Sequence, residues 1–153
     1  MSLRTTYIIV IIQSALAIIG SLYYSNFWDP VYEYITGTWF DRSDAFYPCQ
    51  LCWWARIMMY PLLPLAILGL IRQNKDILIY IFLITIPGTA LEMYHYLMQK
   101  LAIPNPFGCT AANPCAALKV DYFDFITIPF LCLVAFVVIF VVSLMGLRAQ
   151  RKQ

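Results

Sequence analysis

Pro48–Cys49–Gln50–Leu51–Cys52–Trp53–Trp54–Ala55–Arg56 is the stretch that decides how the chain is read. Two cysteines three positions apart stand where a polar, aromatic segment gives way to an apolar run that continues through Leu70. The pair therefore falls at the N-terminal end of a helix, where water meets lipid. Unsatisfied backbone N–H groups and the positive end of the helix dipole favour a thiolate there. Cys52, in or beside the first turn, is the expected beneficiary, and Arg56 adds a fixed positive charge one turn further in. Cys-x-x-Cys at a helix start is the spacing of a disulfide that opens and closes repeatedly. The plainer alternative is a static brace.

Composition sets the class. Of 153 residues, 62% are hydrophobic and 12% charged, against about half and about a quarter in average soluble domains. An all-α integral membrane protein follows. The net charge of +2, carried by dispersed basic residues, gives no sign of a nucleic-acid partner. Five cysteines are few for a disulfide scaffold, yet four fall into two pairs at loops or loop edges.

Working outward, four apolar runs are long enough to cross a hydrocarbon core, which takes about 20 helical residues. They cover about 7–25, 51–71, 77–98 and 124–147, within a single membrane domain 1–153, and leave long loops at 26–48 and 99–122. The first run competes with a cleaved signal peptide flanked by Arg4, but it exceeds the usual apolar length and lacks a small-x-small cleavage site. Pro61 and Pro64 predict a bend in the second span, and Arg72–Asp76 a tight hairpin into the third. The aromatic first loop suits an interfacial belt, with partner docking as the sharper alternative. Short links imply an antiparallel four-helix bundle with sequential neighbours packed together.

Orientation follows from counting. Arg4, Arg72, Lys75, Arg148, Arg151 and Lys152 collect on one side; Arg42, Lys100 and Lys119 on the other. Short loops rich in Lys and Arg stay cytoplasmic, so both termini are expected inside and both cysteine pairs outside, where disulfides persist.

The second pair, Cys109 and Cys115, closes a small loop among Pro104, Pro106, Gly108 and Pro114. Alone it reads as a staple; beside a redox-capable pair it reads as an exchangeable disulfide. A Cys₄ zinc site is the other use of four sulfurs, but five residues between Cys109 and Cys115 is long for one, and no metal is expected. Glu92 and His95, three apart on one face of the third span, lie at about the depth of Arg56. Two accounts stay open: an Arg56–Glu92 ion pair capped by His95, or a polar pocket for an electron acceptor beside Cys52, with His95 supplying protons. Cys132, within an apolar span, receives no role, and Gln13, Ser14 and Ser21 read as helix-packing contacts.

Pro48–Cys49–Gln50–Leu51–Cys52–Trp53–Trp54–Ala55–Arg56–Ile57–Met58–Met59–Tyr60–Pro61 resembles the signature of the disulfide bond formation protein B (DsbB) family, in particular its short-loop BdbC-type members. Tyr94–Lys100 and Phe125–Phe130 resemble the matching third- and fourth-helix segments. The resemblance implies a membrane thiol oxidase of the bacterial cell (inner) membrane. Such a protein reoxidises an extracytoplasmic thioredoxin-fold oxidase of DsbA/BdbD type and passes the electrons to a membrane quinone, ubiquinone or menaquinone. By that resemblance Cys109, bonded to Cys115, takes the partner's attack. Cys49 and Cys52 form the second disulfide, Cys52 contacts the quinone, Arg56 holds or polarises it, and His95 matches a histidine near that site. Two departures stand out: the loop 26–48 is longer than in short-loop relatives, and the Cys109–Cys115 spacing is much narrower than in well-known Gram-negative members. The vitamin K epoxide reductase-like family does related chemistry with the two cysteine pairs in the reverse order. The rival from another class is a non-enzymatic tetraspan protein whose disulfides brace its outer loops; a reductase running the electrons the other way is a third reading.

Overall fold

The computed structural model describes residues 2–26, 49–101, 115 and 125–151. Among the described residues, five helices make up four spans: α1 (Leu3–Asn26), α2 (Gln50–Met59), α3 (Leu62–Arg72), α4 (Lys75–Leu101) and α5 (Ile128–Arg151). All four are long and apolar enough to cross a membrane, α2 and α3 together forming the second. The loop 27–48, with its aromatic residues, and most of the second loop, including Cys109, lie outside the described residues.

Local chemistry sets the ends. α1 begins at Leu3, earlier than the apolar run alone suggests, because Ser2 caps it: its hydroxyl accepts the Thr5 N–H at 3.1 Å and its carbonyl the Thr6 N–H at 3.0 Å. The expected bend in the second span is a break. α2 ends at Met59, Pro61 stands before α3, and Pro64 falls in the first turn of α3, where its missing N–H costs no helical bond. Pro87 is carried inside α4. Thr85 donates to the Phe82 carbonyl and Thr89 to the Thr85 carbonyl, both at 2.7 Å, supplying side-chain donors around the proline. The hairpin between α3 and α4 needs only Gln73, left-handed at φ 49°, and Asn74, whose Oδ1 accepts the Asp76 N–H at 2.8 Å. α5 starts at Ile128, later than expected, with the Thr127 hydroxyl accepting the Phe130 N–H at 3.4 Å.

The spans pack in a closed ring: α1 against α3 and α5, α4 against α5, and α4 against α2 and α3. The core holds Tyr7, Val10, Met59, Leu62, Ala66, Leu78, Ile81, Phe136 and Ile139. Lipid is as apolar as leucine, so close fit rather than water exclusion holds such helices together. Gly69 shows it: a Cβ there would run into the Tyr7 ring, whose hydroxyl donates to the Asn74 carbonyl at 2.6 Å. The outward faces carry Ile12, Leu16, Ile19, Ile71, Leu83 and Met145, an apolar surface suited to acyl chains.

Two ends emerge. At one, Thr6, Tyr7, Asn74, Leu78 and Gly146 meet, so the start of α1, the α3–α4 hairpin and the C-terminal half of α5 lie together. At the other, Cys49, Leu51, Met98 and Cys115 form a second buried cluster with Cys52, Leu91 and Tyr94 against it.

Candidate functional site

Cys49 caps α2. Its backbone is extended (φ −68°, ψ 170°) and its Sγ accepts the Cys52 N–H at 3.3 Å. The helix N-terminus therefore serves Cys49, where the sequence pointed to Cys52: the residue just before the first turn, not the one inside it, faces the unsatisfied N–H groups. The two sulfurs lie 2.8 Å apart and both residues are free cysteines. Hydrogen bonding from the Cys52 thiol, above all, pulls the Cys49 thiol well below its ordinary value; burial opposes the shift and His95 reinforces it.

His95 lies against Cys49. Its Nε2 is 3.7 Å from Cys49 Sγ, and its Nδ1 is 3.8 Å from Glu92 Oε2, both side chains being almost wholly buried. α4 brings the two together because residues three apart share a face. Neither Glu92 Oε1 nor His95 Nδ1 has a hydrogen-bond partner among the described residues.

Arg56 goes elsewhere. Its Nε donates to Ser21 Oγ at 3.0 Å and its Nη2 to the Ser21 carbonyl at 3.4 Å, while the guanidinium carbon stands 5.5 Å from the Trp53 ring centroid. Among the described residues Glu92 faces His95 while Arg56 donates to Ser21, so of the two accounts left open, the one built on an Arg56–Glu92 pair is replaced. Ser21, taken from sequence as a packing residue, is an Arg56 acceptor. Its one legible signal was a hydroxyl near the far end of an apolar span, at the depth where Arg56 enters.

Cys115 is disulfide-bonded and only 2% exposed. It packs in one cluster with Cys49, and the Gln99 amide of α4 donates to its carbonyl at 3.4 Å. One cysteine of each sequence pair thus falls in the same buried cluster. Cys49 is buried and Cys52 half-buried, beside the exposed Trp53, Trp54 and Ile57.

These features suit thiol–disulfide exchange: a low-lying thiol, a second sulfur in contact and a neighbouring disulfide. Comparison with known proteins agrees. The family model described as "Disulfide bond formation protein DsbB" matches residues 31–146. The chain belongs to the DsbB family. Among similar DsbB-type proteins, a "Probable disulfide formation protein" of Oceanobacillus iheyensis is 38% identical, the match covering 95% of this chain and 91% of that one. The "Probable disulfide formation protein C" of Halalkalibacterium halodurans is 36% identical over 88% of this chain and 87% of its own length. The "Disulfide bond formation protein C" of Bacillus subtilis is 32% identical over 91% of both. No solved structure matches the chain. It is a multi-pass membrane protein of disulfide bond formation.

The donor atoms of Cys49, Cys52 and His95 lie within 4.8 Å of one another, three donors of a type that soft cations accept. The four-sulfur zinc site weighed from sequence is not formed, because a disulfide-bonded Cys115 has no thiolate to offer.

Proposed function

We propose that this DsbB-family protein is a quinone-dependent thiol oxidase of the bacterial cell membrane, with both termini cytoplasmic and both cysteine pairs outside. The observation that carries the reading is the buried cluster that holds both Cys49 and the disulfide-bonded Cys115, with the half-buried Cys52 packed against it. The excess of basic residues at the end holding Arg4, Arg72, Lys75, Arg148 and Arg151 supports the orientation.

A reduced thioredoxin-fold oxidase attacks the Cys109–Cys115 disulfide at Cys109, leaves oxidised, and hands over two electrons as a dithiol. A thiolate of that dithiol attacks Cys49 in the Cys49–Cys52 disulfide, and Cys52 is displaced as a thiolate. The second sulfur of the Cys109–Cys115 pair then resolves the mixed disulfide, freeing Cys49. Closure of Cys49–Cys52 releases two electrons and two protons. A membrane quinone, ubiquinone or menaquinone, supplies the two-electron sink when bound.

The residues around Cys52 fit such a group. Trp53, Trp54 and Ile57 offer an exposed apolar face to a prenyl tail. Arg56 and His95 carry N–H groups that can donate to carbonyl oxygens beside the sulfur pair. Arg56 is held by Ser21 and Trp53, so its charge is oriented before anything binds.

The test is anaerobic mixing of purified protein, reduced thioredoxin-fold partner and quinone while quinol is followed by absorbance. Stoichiometric quinol supports the oxidase. Absence of quinol with both cysteine pairs remaining oxidised would favour structural disulfides, and quinol consumed with reduction of the partner would mean the flow runs in reverse.

A further inference from the structure

The bundle buries one carboxylate that thiol exchange and quinone binding leave without a task. Glu92 is 1% exposed in the second half of α4, within a helix long and apolar enough to cross a membrane. Ionisable groups at such depth are costly and are kept where a partner and a function need them. Its Oε2 faces His95 Nδ1 at 3.8 Å, and its Oε1 has no hydrogen-bond partner among the described residues. Among the described residues, the titratable or charged groups of packed elements that reach this pair are Cys49 and Cys52 from the α2 end and Cys132 from α5. Arg56, the nearby fixed cation, is engaged with Ser21 of α1. The imidazole thus stands between a carboxylate on one nitrogen and a sulfur on the other.

We propose that Glu92 is a positioning residue that holds His95 with Nδ1 toward the carboxylate and Nε2 toward Cys49, making Cys49 the better leaving sulfur. A carboxylate beside Nδ1 fixes the ring orientation and favours the doubly protonated ring, in which Nε2 also carries a proton. The ring so fixed presents an N–H to Cys49 Sγ at 3.7 Å, and a hydrogen-bonded thiolate is the lower-energy leaving group. The inference rests on the exchange sequence proposed above. When the mixed disulfide between Cys49 and the second pair resolves, the attacking thiolate forms the Cys109–Cys115 bond. The bond to Cys49 breaks, and its electron pair stays on Cys49 Sγ beside the imidazolium. The lowered Cys49 thiol agrees with this arrangement, although the Cys52 contact is its larger cause.

The experiment uses full-length protein in nanodiscs, without quinone or partner, so its failure is distinct from failure of the oxidase reading. In a Cys52→Ser background, which keeps a hydroxyl donor near Cys49, iodoacetamide modification of Cys49 is followed against pH by mass spectrometry. Glu92→Gln is expected to raise the midpoint by at least one pH unit, a loss of about tenfold in rate between the two midpoints. His95→Gln should raise it as far, and the double variant no further. Glu92→Asp, which keeps the charge and guards against misfolding of the amide variant, should stay within half a unit of the parent. An unmoved midpoint in Glu92→Gln would overturn the proposal. So would a further full shift when Glu92→Gln is added to His95→Gln, or an Asp variant that shifts as the Gln variant does.

Discussion

The imidazole Nε2 of His95 lies 3.7 Å from Cys49 Sγ, on the buried side of the cysteine pair, while Cys52 is the half-buried member. Cys49 thereby sits beside an imidazole and in one buried cluster with the disulfide-bonded Cys115, while Cys52 is followed in the chain by the exposed Trp53 and Trp54. Chemistry that must take electrons from a protein and release them to a lipid-soluble acceptor needs two such unequal sulfurs.

Cys52→Ala should raise the pH at which Cys49 becomes reactive, because the Cys52 thiol is the largest cause of its lowering. Cys52→Ser, with a hydroxyl in place, should raise it less. Cys49 is an acid whose native value is depressed. Its contribution to stability is therefore complete above the ordinary thiol range, near pH 8.5, and fades as pH falls through the lowered native value. Melting of reduced protein against pH should show that acid-side loss in the parent, and a smaller one in Cys52→Ala.

Gly69→Ala places a methyl against the Tyr7 ring and Gly88→Ala one against Phe136. Overpacking of this kind costs about 1–3 kcal/mol, so each should melt several degrees lower in detergent. Gly20, whose added Cβ would meet nothing within 4 Å, is the contrast: Gly20→Ala should be neutral or stabilising by up to ~1 kcal/mol through helix propensity. Equal losses at all three positions would contradict the packing described.

Ser21→Ala removes the Oγ that accepts from Arg56 Nε. Side-chain hydrogen bonds between membrane helices average about 0.6 kcal/mol, so KM for a short-chain quinone should rise about threefold with little change in kcat. Arg56→Ala should exceed that in both parameters. A Ser21 variant indistinguishable from the parent would detach this contact from acceptor binding.

Cys115→Ser should trap a mixed disulfide between Cys109 and a reduced thioredoxin-fold oxidase, visible on a non-reducing gel. The same band in a variant also lacking Cys109 would remove that assignment. Cys132, a free cysteine packed against the core, should tolerate Ala with turnover retained.

The four spans were legible from residue order because each is a long apolar run, and a bilayer admits little else than a helix there. The break at Pro61 was legible as a bend, since proline's lost N–H is a local fact. What linear order could not yield was the choice of partner at depth. Arg56 had Glu92 and Ser21 within reach on two different helices, and only the packing of α1 against α2 directs the guanidinium to Ser21. Likewise the Cys49–Gln50–Leu51–Cys52 spacing announced a redox pair without saying which sulfur would cap the helix and which would stay half-buried.

Sequence alone thus determined that the chain lives in lipid, how many times it crosses, and that it carries two sulfur pairs, because hydrophobic length and residue spacing are properties of neighbours along a chain. Tertiary structure decided that Cys115 shares a buried cluster with Cys49, that His95 lies beside Cys49, and that Glu92 stands behind His95. Those contacts depend on helix rotation and depth, which are set by how side chains such as Tyr7 and Gly69 fit across the bundle.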